Sequence, residues 1–528
     1  MPIYGVIDVG SNAIKLKIAR CEPPNQIEIL CDEREPVRMG SGVFRGKAIH
    51  KEVIDAAANA LKRFRKLFSS HKVEMFRAVA TSAMREAPNR IAVQAELAER
   101  SGIELEIISG SEEARLIQIG TSLDVGHVTG SVLFVDIGGG SCELSVRERG
   151  QLKELCSLAL GAVRLTENFI HGDPVSGDDH RKLKDFIYSE LRQNIVPLLN
   201  RNYELAVGTA GTINAICESI LSRRNQYPNS TPNAVSYSDI SQFHRRLRES
   251  TQDERMRLPG LSSNRADIIV AGAAVLKYVL KTLRLRSLRP SRRGLRDGVL
   301  VDLLSRFAHD RSLQLELHKS RMNSLMQFGD RFGVHREHSD HVTRLALSLF
   351  DQLRNVHRLT DGDRALLEAA GLLHEVGRAV NYGSMHKHSY YIIRNAELTG
   401  FTQDEIEVIA NVARYHRRSE PSRRHENFRH LTQAQRHSVQ WLAALLRVAD
   451  GLDRHHDARV RGVKTSLRGG VLRLELDNEY EAELEIWSSR RKSHSLAELL
   501  GRKIEYREKK APEKILGKDG APLATASR

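Results

Sequence analysis

The chain opens on a short apolar run, Tyr4-Gly-Val-Ile7, that ends in Asp8-Val-Gly10-Ser11-Asn12 and then alternates, with Ile14, Leu16 and Ile18 on one face. A buried strand, a polar turn and a second strand are predicted. The pattern returns 128 residues later, where Val132-Leu-Phe-Val135 leads into Asp136-Ile-Gly138-Gly-Gly-Ser141 and then Cys142–Val146. Between the copies, helices are predicted at Ile49–Phe68, Asn89–Arg100 and from Glu112 to Ile119, with strands at Met75–Val79 and Glu104–Ile108. Such alternation specifies an α/β fold. A third strand, Leu205–Val207, runs into Gly208-Thr-Ala-Gly211-Thr212 and a helix over Ile213–Ile220.

Further on the periodicity becomes helical, over Val342–Leu353, Arg364–Val380, Asp404–His416 and Val439–Leu452. After Gly462 a hairpin is expected, Val463–Leu467 with Val471–Leu476 about Gly469-Gly470. A strand at Tyr480–Trp487 and a helix at 488–500 follow. The predicted domains are 1–125 and 126–304, two matched lobes, then a helical domain at 305–460, a small α/β lobe at 461–510 and a disordered tail at 511–528.

Charge narrows the partners. Lys and Arg number 81 against 66 Asp and Glu, a net +15, which favours a polyanion. Lys281, Arg284, Arg286, Arg289, Arg292, Arg293 and Arg296 form a stretch with no acid among them, and a looser cluster runs from Lys503 to Lys518. Aromatic residues are 5% with no basic–aromatic stripe, so base stacking and specific nucleic-acid binding are not expected. No uncharged apolar run reaches the ~18 residues of a membrane span. The start lacks a basic segment before its apolar run, so no secretory signal is expected. Five cysteines without a C-x-x-C pair suggest reduced thiols and a cytoplasmic location.

The twin turns carry the chemistry. Glycine lets backbone N–H groups approach phosphate oxygens, and Ser and Asn add donors. An Asp beside such a turn can hold Mg²⁺, directly or through water. Two such hairpins from facing lobes would clamp one phosphate chain. The Gly208–Thr212 loop at a helix start is a third anion site. The P-loop pattern is absent.

These loops resemble the actin, sugar-kinase and heat-shock-ATPase superfamily of two-lobed folds. Tyr4–Asn12, Ala80-Thr-Ser-Ala-Met-Arg85, Ile108-Ser-Gly-Ser-Glu-Glu-Ala-Arg-Leu116, Phe134–Ser141 and Leu160-Gly-Ala-Val-Arg-Leu165 resemble the exopolyphosphatase / guanosine-pentaphosphate phosphohydrolase family more closely. So do Gly208–Thr212, Leu258-Pro-Gly260 and Gly294-Leu-Arg-Asp-Gly-Val-Leu300. The resemblance implies Mg²⁺-dependent hydrolysis of a terminal phosphoanhydride, and a homodimer. Glu113 would be the general base, left free because Ser109-Gly-Ser-Glu112 reads as a capping box. Asp136 and Glu143 would hold the metal, with Asp8 opposite. Phosphate would meet Gly10, Ser11, Asn12, Gly138, Gly139, Gly140, Ser141, Gly208, Gly211, Thr212 and Arg85, with Arg164 and Arg296 as further candidates. Inorganic polyphosphate is the first substrate reading and guanosine pentaphosphate, at the same site, the second. A kinase of the same superfamily and a non-catalytic polyanion binder are the competing classes.

Thirteen of the 22 histidines fall between His335 and His456. This region resembles an HD-type helical domain, with His341, His374-Glu375 and Asp450 in the order of its metal ligands. His-Glu stands where His-Asp is expected, so a structural role is anticipated there.

Overall fold

The computed structural model describes residues 2–22, 26–126, 128–223, 234–307, 310–478 and 480–508; the expected disordered tail at 511–528 lies outside them. The chain divides into two compact units, Met1–Ser320 and Arg321–Arg528.

The first unit holds two sheets. β1 (Ile3–Val9), β2 (Ile14–Glu22), β3 (Gln26–Glu35), β4 (Met75–Ala80) and β5 (Glu106–Ile107) form one, in the order β3-β2-β1-β4-β5. β6 (Ser131–Ile137), β7 (Cys142–Glu148), β8 (Gln151–Leu158), β9 (Tyr203–Thr209), β10 (Val235–Ser236) and β11 (Ser287–Pro290) form the other, in the order β10-β11-β9-β6-β7-β8. The sequence repeat is a repeat of topology. β1 and β6 each pair antiparallel with the next strand and parallel with a later one, β4 or β9.

β1 and β6 are buried nearly throughout. A strand covered on both faces needs a continuous apolar run, and each run breaks only at its closing Asp. Helix Lys51–Ser70 lays Ile54, Leu61, Phe64 and Phe68 on the first sheet, and helix Ile269–Thr282 is apolar almost all round, as a helix inside the second core must be.

Two further helices lock the halves together. Helix Gly110–Ser122 packs against β7 and β8, and helix Leu295–Phe307 packs against it and against β1. A methyl group at Gly298 would stand 1.7 Å from the Leu116 carbonyl oxygen, so bare glycine permits the helix contact. Beneath it lies a buried ion network. Asp302 accepts from Arg77 at 2.8 Å, Arg115 at 2.6 Å and Arg306 at 2.7 Å, and Arg115 also grips Glu112.

The second unit is a set of helices, including Arg336–Gln352, Asp361–Leu373, Gln403–Tyr415 and Gln433–Gly451, with a three-stranded sheet of β12 (Val460–Arg468), β13 (Val471–Asn478) and β14 (Lys503–Glu508). β12 and β13 form the expected hairpin, and both turn glycines take positive φ, 59° and 76°. Val460, Leu472, Leu474 and Leu476 belong to the same core as the helices. So short a segment cannot supply a separate one.

One expectation is corrected here. Tyr480–Trp487 contributes no strand; helix Glu483–Lys492 begins there, and the third strand is β14, parallel to β13. Acids at Glu483 and Glu485 and bases at Arg490–Lys492 suit the two ends of a helix dipole. The Glu/apolar alternation imitated a strand.

Candidate active site

The two hairpins pair in matching register. Asp8 faces Lys15 across β1–β2, and Asp136 faces Glu143 across β6–β7. Each turn closes on the same bond: Gly10 N–H donates to the Ala13 carbonyl at 3.1 Å, and Gly138 N–H to the Ser141 carbonyl at 3.0 Å. The elbows also touch. A methyl group at Gly139 would lie 2.8 Å from Ser11 Cβ, so this glycine is required by close approach of one elbow to the other.

A cleft of about 320 Å³ runs along both elbows. It is lined by Asp8, Gly10, Ser11, Asn12, Asp136, Gly138, Gly139 and Ser141, by Gly211 and Thr212 of the third loop, and by Glu113 and Arg296. Gly211 and Thr212 open helix Ala210–Arg223, whose first N–H groups lack intrahelical acceptors and suit an anion.

Several expected contacts do not line the cleft. Gly208 packs under Leu288 and Ile213. Gly140 abuts Phe44 and Ser82. Arg164 donates to the Gly140 carbonyl at 2.6 Å, pairs with Glu86 and lies over the Phe44 ring, so it buttresses the second elbow from behind. Arg85 reaches the Ile108 carbonyl at 2.7 Å and the Glu113 carboxylate at 3.3 Å. Its positive charge therefore meets Glu113. Arg296 is partly committed, donating to the Leu16 carbonyl at 2.7 Å and to Asp32 at 2.6 Å.

Glu113 sits in the first turn of its helix. Ser109 caps that helix by accepting from Glu112 N–H at 3.1 Å, and the Glu112 carboxylate goes to Arg115 instead of completing a capping box. Glu113 faces the cleft and is buried, which with the nearby Glu143 charge pushes its carboxyl well above the usual range. Burial and Glu113 raise Asp136 to about 7. Burial and Asp136 raise Glu143 to about 7, against the hydrogen bonds of Ser141 and Ser157 and the charge of Arg85.

Asp8, Glu113 and Asp136 line the cleft, while Glu143, expected as a metal ligand, stands across from Asp136 outside the lining; the four carboxylates repel one another and invite a cation. The structure offers one further sign: Glu143 Oε2 is buried with no hydrogen-bond partner, while Oε1 accepts from Ser157 at 2.9 Å. No three of the four bring oxygens within 4.8 Å of one another. They would surround a hydrated ion rather than cage a bare one, which suits a hard cation that keeps several waters.

The structure adds residues that sequence reasoning missed. Lys15, Arg34, Arg265 and Arg292 line the cleft, as do Thr81, Ser82 and Asp297. Lys15 was legible as the residue opposite Asp8. Arg265 carries no local motif and reaches the cleft only through packing.

Two hairpin elbows closing on one cleft from matched sheets define a two-lobed, actin-like α/β fold. The chain belongs to the Ppx/GppA phosphatase family, which it matches over residues 18–307, and residues 320–492 match domain III of the same family. Membership implies a hydrolase of phosphoanhydride bonds. A guanosine-5'-triphosphate,3'-diphosphate pyrophosphatase of Photobacterium profundum is 25% identical over 416 residues, covering 78% of this chain and 80% of that protein. The crystal structure of an exopolyphosphatase from Cytophaga hutchinsonii aligns with TM-score 0.53 and 28% identity, over 57% of this chain and 97% of the other. The Aquifex aeolicus Ppx/GppA family member aligns with TM-score 0.50 and 27% identity, over 58% and 99%. Among the described residues no helix is long and apolar enough to cross a membrane.

Proposed function

We propose that the protein is a cytoplasmic exopolyphosphatase that removes the terminal phosphate of inorganic polyphosphate by Mg²⁺-assisted attack of water. The lining of the cleft carries this reading. Two elbows and a helix start meet in one cavity with five carboxylates, Asp8, Asp32, Glu113, Asp136 and Asp297, with five basic side chains, Lys15, Arg34, Arg265, Arg292 and Arg296, and, among the described residues, with no aromatic ring. Such a lining suits a polyanion without bases, whose attraction is long-range and salt-sensitive.

Asp136, Glu143 and Asp8 would hold Mg²⁺, which when bound supplies neutralisation of the phosphate oxygens. Glu113 accepts the proton of the attacking water. The water oxygen bonds to the terminal phosphorus as the bridging P–O bond breaks, giving orthophosphate and a chain shorter by one unit. Arg85 fixes the Glu113 carboxylate from the side. Gly139 and Ser11 keep the elbows in contact, so the chain end is positioned before reaction. The homodimer, the HD-like character of the helical unit and the lobe boundaries at 125 and 304 are part of the same proposal.

The second reading, hydrolysis of guanosine pentaphosphate at the same cleft, is favoured by the name of the Photobacterium relative. Phosphate release from long polyphosphate, guanosine pentaphosphate and ATP, each with Mg²⁺, separates the two. Release is expected to be fastest from polyphosphate and nearly abolished by Glu113→Gln. Preference for the nucleotide would establish the second reading. Full activity in the variant would remove Glu113 from its role.

A further inference from the structure

Helices Gly177–Asn194, Tyr237–Glu249 and Ile269–Thr282 belong to the core of the second sheet, and the third packs against the other two. Where they meet, His180 of the first and His244 of the second bring their ring centres to 5.3 Å. The Tyr278 hydroxyl of the third stands 3.5 Å from His180 Nε2. His244 is 1% exposed. His180 Nδ1 and His244 Nε2 are both buried without a hydrogen-bond partner. A buried polar atom left unpaired in a native fold calls for a reason.

The surroundings are cationic. Arg248 and Lys277 act on both rings, and Lys184 acts on His180. Burial first, and these charges with it, push His180 down to about 4 and His244 down to about 3. Both imidazoles are therefore neutral. Arg245 and Lys281 complete the group, and with burial, Arg248 and Lys184 they lower Lys277 as well. None of these five cations has an ion-pair partner among the described residues. Lys277 lies 5.5 Å from the centre of the Tyr278 ring, and Asp185, the carboxylate that acts on Tyr278, pairs with none of the five. Like charges gathered without a counter-charge favour an anionic ligand.

The chemistry narrows the choice. A metal cation is repelled here, and a lone carboxylate brings one charge to five. Tyr188 and Tyr278 pack on each other with ring centres 5.0 Å apart, so they offer no platform for a base. Linked phosphate groups bring several charges and many acceptor oxygens to ammonium, guanidinium and imidazole N–H donors.

We propose that this face binds two linked phosphate groups at a second site, separate from the cleft. None of the five cations lines the cleft, but Ile268 does. Helix Ile269–Thr282 leads from Ile268 to Lys277 and Lys281, roughly 14 and 20 Å further along at about 1.5 Å per residue. Near its start, Gly272 packs on Thr212 of the third loop. One helix therefore touches both sites. The anion supplies the missing counter-charge, and an N–H at either unpaired ring nitrogen gains an acceptor oxygen. The site binds and does not react, whichever phosphate compound the cleft cleaves.

Full-length protein in chelator is titrated calorimetrically with methylenediphosphonate, whose P–C–P bridge resists hydrolysis, and separately with long polyphosphate. Methylenediphosphonate should occupy two sites, the cleft and this face. Arg248→Gln and Lys277→Gln should each weaken one of them at least tenfold and leave the other unchanged. Lys277→Gln relieves repulsion, so it should melt no lower than wild type while losing part of the upward shift that the ligand gives. Misfolding cannot imitate that pair of results. Arg20→Gln removes an equal charge from an exposed pair with Glu28 and serves as the control. Weakened methylenediphosphonate binding in the face variants assigns the site to a free diphosphate. Weakened binding of long polyphosphate alone assigns it to a stretch of a chain. Wild-type affinity for both ligands in the face variants, or the same weakening in Arg20→Gln, overturns the proposal.

Discussion

Lys15 and Glu143 occupy the same place in the two hairpins, each directly across from the aspartate that ends the central strand. Their charges are opposite, and the difference assigns the two elbows different work. At the first, Lys15 lies 3.3 Å from Asp8 and neutralises it. At the second, Glu143 confronts Asp136, and both carboxyls are raised to about 7. The cation should therefore favour the second elbow. Glu143→Gln is expected to raise the Mg²⁺ concentration for half-maximal phosphate release by roughly tenfold, about 1.4 kcal/mol. An unchanged Mg²⁺ requirement would place the ion elsewhere.

The same pair sets a pH dependence. Asp136 and Glu143 are raised mainly by burial, so the folded state holds protons that the unfolded chain has released. Stability from the neutral forms is fully present below about pH 4 and is lost as pH rises through about 7. In chelator the melting temperature should fall between pH 5 and 8, and saturating Mg²⁺ should reduce the fall. Asp136→Asn should flatten the chelator curve. A wild-type curve that rises over this interval in chelator would contradict the assignment.

Asp302 tests whether the helix bearing Glu113 is held by charge. Its carboxylate is buried among Arg77, Arg115 and Arg306, which hold it well below the usual carboxylate range. Asp302→Asn removes the common anion, while Arg77 keeps Glu106 and Arg115 keeps Glu112. Loss of one member of such a group costs about 3–5 kcal/mol. Urea unfolding should show that loss, and a change under about 1 kcal/mol would mean that the network relaxes around the gap.

Much of this architecture was legible because the repeat was written twice. Asp8 and Asp136 fall in one register, and the strands before them are apolar for the same reason, burial on both faces. Residues whose role lies in the tertiary contact were not legible. Arg164 reads as a phosphate ligand but spends its guanidinium on the Gly140 carbonyl and Glu86. His341 and His338 lie three residues apart on one helix, and His338 is the one that stands 3.6 Å from Asp450. Spacing could not say which faces Asp450. Tyr480–Trp487 failed for a different reason: its alternation satisfies a strand as well as a helix, and only the charge gradient from Glu483 to Lys492 favours the helix.

Arg265 gives the sharpest test of the cleft as a polyanion site. Its side chain lines the cavity against the backbone of Gly211, where an added methyl group would lie 1.9 Å from the guanidinium. Burial and the neighbouring charge of Arg34 lower it to about 10, and no carboxylate lies within ion-pair distance among the described residues. An incompletely neutralised guanidinium at this depth destabilises the free protein and is relieved by an anionic ligand. Arg265→Ala should therefore leave the melting temperature of the free protein equal or higher. It should also raise KM for polyphosphate at least tenfold and weaken the salt dependence of kcat/KM. A variant that melts lower with unchanged KM would show that Arg265 supports the fold and does not meet the phosphate chain.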